Sequence, residues 1–218
     1  MARISFDNEL KDLHNDLLRM SSIVEKQIYL SIESLKKQDD KLASEIIKND
    51  DLVDDLQREI EGKCIKLIAK EQPVATDLRN IFTTTKIVTD LERMADHAVD
   101  IAKIVIRLKD EKYIKELIDI PQMSNLLQKM IKNSIDSYIT GNVNLAYKTC
   151  KMDDEIDEIY RNVFTELLEL MVKDSAIIHQ ATQFLFVCKF LERMADHATN
   201  ICEWTIYLVT GDTVDLND

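Results

Sequence analysis

The chain has 218 residues with 40 acidic against 28 basic side chains, a net charge of −12, and only three Gly and two Pro. Such an acidic chain is poorly suited to nucleic acid, whose phosphates are held by clustered Lys and Arg, and better suited to cations or basic protein surfaces. So few turn-forming residues, among abundant Leu, Ile, Lys, Glu and Asp, predict an all-α protein of long helices and short connections. The opening segment MARISFDNELKDL has no apolar run suited to a signal peptide, and nowhere do 18 apolar residues follow one another. The expectation is a cytoplasmic protein without membrane insertion. Cys64, Cys150, Cys188 and Cys202 show neither zinc-site spacing nor the density of a disulfide scaffold, and Cys64 and Cys202 fall on apolar stripes as core residues do.

In chain order, Phe6, Leu10, Leu13, Leu17, Val24, Ile28, Ile32 and Leu35 recur at helical spacing and predict a first helix ending near Lys37. A second, from about Asp40 to Lys70, carries Leu42, Ile46, Val53, Leu56, Ile60, Cys64 and Leu67 and stops before Gln72-Pro73. The third carries Ile81, Val88, Leu91, Ala95, Ala98, Ala102 and Val105. Residues 109 to 121 are charged and reach Pro121, which sets the boundary between halves 1–110 and 111–218. The second half repeats the plan with helices over about 124–140, 143–173 and 175–209. Each helix has one apolar stripe to bury against two neighbours, so the architecture expected is two antiparallel three-helix bundles in series, an elongated molecule.

The two halves also share a phrase. LERMADHAVDIAK begins at Leu91 and LERMADHATNICEW at Leu191, eight residues recurring at an offset of 100, which marks an internal duplication. Each copy places acids one helical turn apart, Glu92 with Asp96 and Glu192 with Asp196. The preceding helices contribute Asp50 with Asp54 and Asp153 with Asp157, also one turn apart. Folding each half about its turn, near Pro73 and near Asp174-Ser175, sets Asp54 level with Glu92 and Asp50 with Asp96, then Asp157 with Glu192 and Asp153 with Asp196. At 100° per residue, Asp50 and Asp54 fall roughly 60° and 100° from Val53, which puts the acids at the bundle edge, open to solvent.

Like charges at this spacing destabilise a helix by about 0.2 to 0.5 kcal/mol per pair, so a cation is expected to neutralise them. Oxygen-only ligands favour hard ions, Fe, Mn or Mg, over zinc. Asp100 and its counterpart Asn200 continue the acid row outward and are weaker ligand candidates, because the position loses its charge in the second copy. His97 and His197 stand beside Asp96 and Asp196 as ligands, ligand partners or plain polar residues. Arg93 and Arg193 project away from the stripe and are expected to pair with neighbouring acids. The sequence displays no strong basic anion pocket, so direct anion sensing is not expected.

The two LERMADH phrases, the acid segments NDDLVDD and MDDEIDE, and the stretch PVATDLRNI resemble the PhoU family of phosphate-signalling regulators over essentially the whole chain. The resemblance implies two three-helix bundles and metal at surface pairs of the form Glu/Asp-x-x-x-Asp, which here are Asp50 with Asp54, Glu92 with Asp96, Asp153 with Asp157, and Glu192 with Asp196. It further implies a cytoplasmic, commonly dimeric negative regulator of the phosphate-starvation response, linking the ATPase subunit of a phosphate ABC transporter to a membrane sensor histidine kinase. The missing counterpart of Pro73 and the change to Asn200 leave the second metal site the less certain. Two other readings are a carboxylate-bridged metalloenzyme and a metal-free helical scaffold. Against the enzyme, Ala95 and Ala195 stand where the Glu-x-x-His pattern of di-iron bundles needs histidine.

Overall fold

The computed structural model describes the backbone of residues 2–217 and the side chains of residues 6–217. Met1 and Asp218, the outer ends of the two halves, lie outside the described residues. The helices are α1 (Ala2–Lys37), α2 (Asp40–Lys48), α3 (Asp51–Glu71), α4 (Thr76–Leu108), α5 (Asp119–Thr140), α6 (Val143–Cys150), α7 (Asp153–Lys173) and α8 (Ile178–Thr210), with a 3-10 turn over Ser175–Ile177. There is no strand among the described residues.

The helix expected over 40–70 is two helices, and so is the one expected over 143–173. Asn49 ends α2, its N–H returning to Glu45 and Ile46, and the chain tightens into short turns where Leu52 and Val53 donate to the carbonyls of Asn49 and Asp50. Asn and Asp compete with the helix for backbone hydrogen bonds, so the interruption falls where they cluster. The break lets α2 bury Ala43 and Ile46 on one heading and α3 bury Val53, Leu56, Ile60, Cys64 and Leu67 on another. Its consequence is local: Asp50 and Asp153 stand at the start of a helix, where the positive end of the dipole favours a carboxylate.

The turn between α1 and α2 repeats between α5 and α6. Gln38 and Gly141 both take positive φ, +51° and +63°, and the next residues, Asp39 and Asn142, cap the following helix by accepting backbone N–H bonds. Only Gly adopts this backbone without strain. Gln38 occupies it with its amide donating to the carbonyls of Leu108 and Glu111 at 3.2 and 2.7 Å, which closes the end of α4. Pro121, expected to lie before the fourth helix, sits inside the first turn of α5, where its missing N–H has no partner to lose.

One continuous apolar cluster runs through both halves. The most extensive interhelix packing is α4 against α8, and α1 also packs on α5, so the bundles lie side by side rather than in series. Along the α4–α8 seam Arg79 reaches Leu208, Phe82 meets Trp204, Asp90 bonds His197, His97 stacks on Phe190 and Arg107 bonds Gln183. The numbers rise on one helix as they fall on the other, so the two copies of the repeated phrase cross antiparallel at mid-molecule. The connection between halves is fastened to both of them at its middle: Tyr113 donates to the Leu35 carbonyl at 2.7 Å, and the Gln180 side chain accepts from Ile114 N at 2.6 Å.

Candidate functional site

The first acid cluster forms where α3 packs on α4. Asp50 precedes α3 and Asp54 lies in its first turn, while Glu92 and Asp96 are one turn apart on α4. Burial, then the carboxylates of Asp96 and Asp54, raise the pKa of Asp50. Burial and Asp96 raise that of Glu92, with smaller contributions from Asp54 and Asp50 opposed by Arg93. Asp50, Asp54, Glu92 and Asp96 therefore share one electrostatic field. Arginines partly neutralise it: Arg58 lies 3.6 Å from Asp54, and Arg93 lies 3.5 Å from Glu92 and 3.2 Å from Asp96.

The second cluster repeats the geometry with less compensation. Burial, then Asp196, Asp157 and Glu192, push the pKa of Asp153 up to about 7. Burial and Glu192 push that of Asp196 up to about 6, opposed by Lys189. Lys189 meets Glu192 at 2.5 Å, but no ion pair reaches Asp153, Asp157 or Asp196 among the described residues. Asp153 Oδ1 and Glu192 Oε2 are buried without a hydrogen-bond partner. An unpartnered buried acceptor costs about 1–3 kcal/mol, more when charged, so this cluster has the stronger need for a cation.

Between the clusters, across the α4–α8 seam, lies a groove of about 650 Å³. Asp50 and Asp96 enter it from the first cluster and Asp196 from the second, beside Arg93, Arg193, Lys103, His97 and His197. The outer positions Asp100 and Asn200 also line it, and each has another partner: Asp100 is held by Lys103 at 2.9 Å, while Asn200 donates to Asp90 at 3.1 Å and accepts from Asn217 at 2.8 Å. The two histidines differ. His197 Nδ1 is 2.9 Å from Asp90 Oδ1, whereas His97 stacks on Phe190 with ring centroids 5.3 Å apart. His97 Nδ1 is buried without a partner, and burial, together with His197 and Arg193, holds its pKa down near 4. Arg93 pairs with acids as expected. Arg193 does not: it has no ion pair or hydrogen bond among the described residues.

Asp90 and Phe190 are the seam residues that sequence reasoning missed. They occupy the same position of the repeat, and each faces the histidine of the other half, so the only available signal was their difference at matched positions. Chemically, each cluster offers carboxylate oxygens from two helices at one level, a donor set for hard cations, and the orphaned oxygens of Asp153 and Glu192 fit such an ion. As the side chains stand, no three His, Cys, Asp or Glu form a ready metal-ligand group among the described residues. Mutually repelling carboxylates turned toward Arg58, Arg93 and Lys189 adopt such an arrangement.

Comparison with known proteins agrees with this organisation. The sequence model of the PhoU domain matches the chain twice, over residues 17–105 and 120–205. The chain belongs to the PhoU family. A phosphate-specific transport system accessory protein PhoU homolog from Clostridium acetobutylicum is 56% identical over 219 residues, covering 100% of both chains. The crystal structure of PhoU from Pseudomonas aeruginosa superimposes with a TM-score of 0.91 at 32% identity, covering 95% of this chain and 100% of that one. That of the phosphate transport system regulatory protein PhoU from Streptococcus pneumoniae gives 0.90 at 33% identity, covering 96% and 99%. The all-α fold of paired PhoU domains is thus shared along nearly the whole chain, and the repeat seen in the LERMADH phrases is the repeat of the PhoU domain. No helix among the described residues is long and apolar enough to cross a membrane.

Proposed function

We propose that this chain is a regulatory accessory protein of a phosphate-specific transport system, acting by binding rather than by turnover, and that its acid clusters hold hard metal ions. The observation that carries the metal reading is the pair of buried, unpartnered carboxylate oxygens, Asp153 Oδ1 and Glu192 Oε2, in a cluster whose acids raise one another's pKa. Asp50, Asp54, Glu92 and Asp96 would hold ions in the first half, and Asp153, Asp157, Glu192 and Asp196 in the second. The bound cation, Fe, Mn or Mg, would supply positive charge between α3 and α4 and between α7 and α8. Around these residues Arg58, Arg93 and Lys189 take up carboxylate charge.

The regulatory half of the proposal follows the family and its relatives' names. In it the chain is a cytoplasmic negative regulator of the phosphate-starvation response, joining the ATPase subunit of a phosphate ABC transporter to a membrane sensor histidine kinase, and it works as a homodimer. The acidic surface supports basic partner faces, since opposite charge accelerates encounter.

Two measurements test this. Protein purified without chelator and analysed by elemental mass spectrometry is expected to carry Fe, Mn or Mg, with Tm raised by added Mn²⁺ or Mg²⁺; absence of metal together with an unmoved Tm overturns the metal reading. Deleting the gene in its host is expected to derepress phosphate-uptake genes in phosphate-rich medium, and normal repression overturns the regulatory reading.

A further inference from the structure

The groove along the α4–α8 seam holds a cationic side chain that no described residue pairs with. Arg193 lines it and has no ion pair or hydrogen bond among the described residues, although its counterpart Arg93, on the facing helix and lining the same groove, is tied to Glu92 and Asp96. Lys103 and the amide of Asn200 add donors on the two walls. A guanidinium is a planar fork of N–H donors matched to oxyanions. Two forks brought from opposite helices by the pseudo-symmetric crossing can address one anion from two sides.

We infer that this groove is an oxyanion site for inorganic phosphate, with Arg193 and Arg93 as its clamp, and that it fills only when the acid clusters hold their cations. The inference rests on the metal reading above. Without cations, Asp50, Asp96, Asp100 and Asp196 line the groove and repel an anion. Cations held in the two clusters offset the charge of Asp50, Asp96 and Asp196, and the one held by Glu92 and Asp96 takes over the carboxylates that hold Arg93, releasing its guanidinium toward the groove. Phosphate oxygens also suit hard cations, so one anion can lie between guanidinium and metal.

The acid left in the groove selects among oxyanions. Asp100 is bound to Lys103 through one oxygen and keeps acceptor capacity on its carboxylate. Phosphate at neutral pH carries a P–OH that can donate to it, whereas sulfate is fully deprotonated and would set two anions face to face. Phosphate is therefore preferred over sulfate. Because coupling between two ligands is reciprocal, phosphate tightens the metal by the same factor that the metal tightens phosphate.

The test is equilibrium dialysis of the full chain with radiolabelled inorganic phosphate, with and without saturating Mg²⁺, with Mg²⁺ stoichiometry measured alongside. Expected are phosphate binding at least about tenfold tighter with Mg²⁺ than without, and binding of sulfate about tenfold weaker than phosphate. Arg193→Ala should lose phosphate affinity about tenfold while keeping Mg²⁺ stoichiometry and helical circular dichroism, and Arg193→Lys should recover part of it. Asp100→Asn should narrow the gap between phosphate and sulfate. Protein that binds Mg²⁺ but no phosphate, or an Arg193→Ala variant that binds phosphate as the wild type does, overturns this inference and leaves the metal reading standing. Protein that binds no cation overturns both.

Discussion

In the first half of the chain the clustered carboxylates are met by two arginines, Arg58 and Arg93. In the second half, among the described residues, only Lys189 reaches in, on Glu192, and the matched arginines turn elsewhere: Arg161 donates to the backbone carbonyl of Asp157, and Arg193 faces the open groove. The duplication kept the acids and redistributed their counterions. Charge that the protein satisfies internally in one half is less fully compensated in the other, where Asp153 and Glu192 each keep a buried oxygen without a hydrogen-bond partner. The seam shows the same divergence at matched positions, with Asp90 bonding His197 at one end and Phe190 stacking on His97 at the other. A repeat fixes where groups stand, and single substitutions then decide what each site still lacks.

The largest test of this contrast is metal-linked stability. At a cation concentration about 100-fold above Kd a single site adds about 2.7 kcal/mol. Asp153→Ala with Asp196→Ala should remove more of the Mg²⁺- or Mn²⁺-induced rise in Tm than Asp50→Ala with Asp96→Ala; equal losses would show that the counterions do not bias occupancy. Next in size, Asp90→Ala strands His197 and Asn200 and should destabilise by about 1–3 kcal/mol in urea denaturation. Phe190→Asp would place a carboxylate against His97, as Asp90 stands against His197, and its stability read the same way tells whether this end of the seam needs an apolar face.

The pH response gives a third handle on chelated protein. The folded-state pKa of Asp153 is raised to about 7, above the ordinary carboxylate value, so its contribution to stability is fully present below about pH 4 and is lost as pH rises through 7. His97, held near 4, acts in the opposite direction, its contribution falling as pH drops below about 6.5. The informative quantity is therefore the difference between wild type and Asp153→Asn. After discounting for solvent screening, the variant should be about 1–2 kcal/mol more stable at pH 8, with the gap closing toward pH 5. Saturating Mg²⁺ should reverse the sign at pH 8, since the variant loses a ligand. Smallest is Arg58→Ala, an exposed pair on the better compensated cluster, expected to cost less than about 1 kcal/mol without metal. A larger loss would mean that the first cluster depends on its arginines more than surface pairs ordinarily do.

Much of this was legible in the residues. Apolar spacing marked the three helical stretches of each half, because a long helical stretch with a single stripe has one way to bury it. The folding-back about Pro73 and Asp174 placed the acid pairs opposite one another, because an antiparallel pair shares one rise per residue. The breaks at Asn49 and Met152 were hidden, since periodicity runs through a short interruption that keeps the stripe in phase. The place of Asn200 was hidden too. Its lost charge looked like a weakness of the second cluster, and instead it serves the seam with Asp90 and Asn217.

The sequence by itself determined an all-α chain, its duplication, and four acid pairs converging two by two, since these depend on local periodicity and on turns between neighbours in the chain. Only the tertiary structure decided that the halves lie side by side, that Arg93 and Arg193 share a groove, and that Asp90 and Phe190 face the two histidines. These contacts join residues about 100 positions apart across a helix crossing. Such a crossing is set by how two buried faces interlock, and neither face alone records its partner.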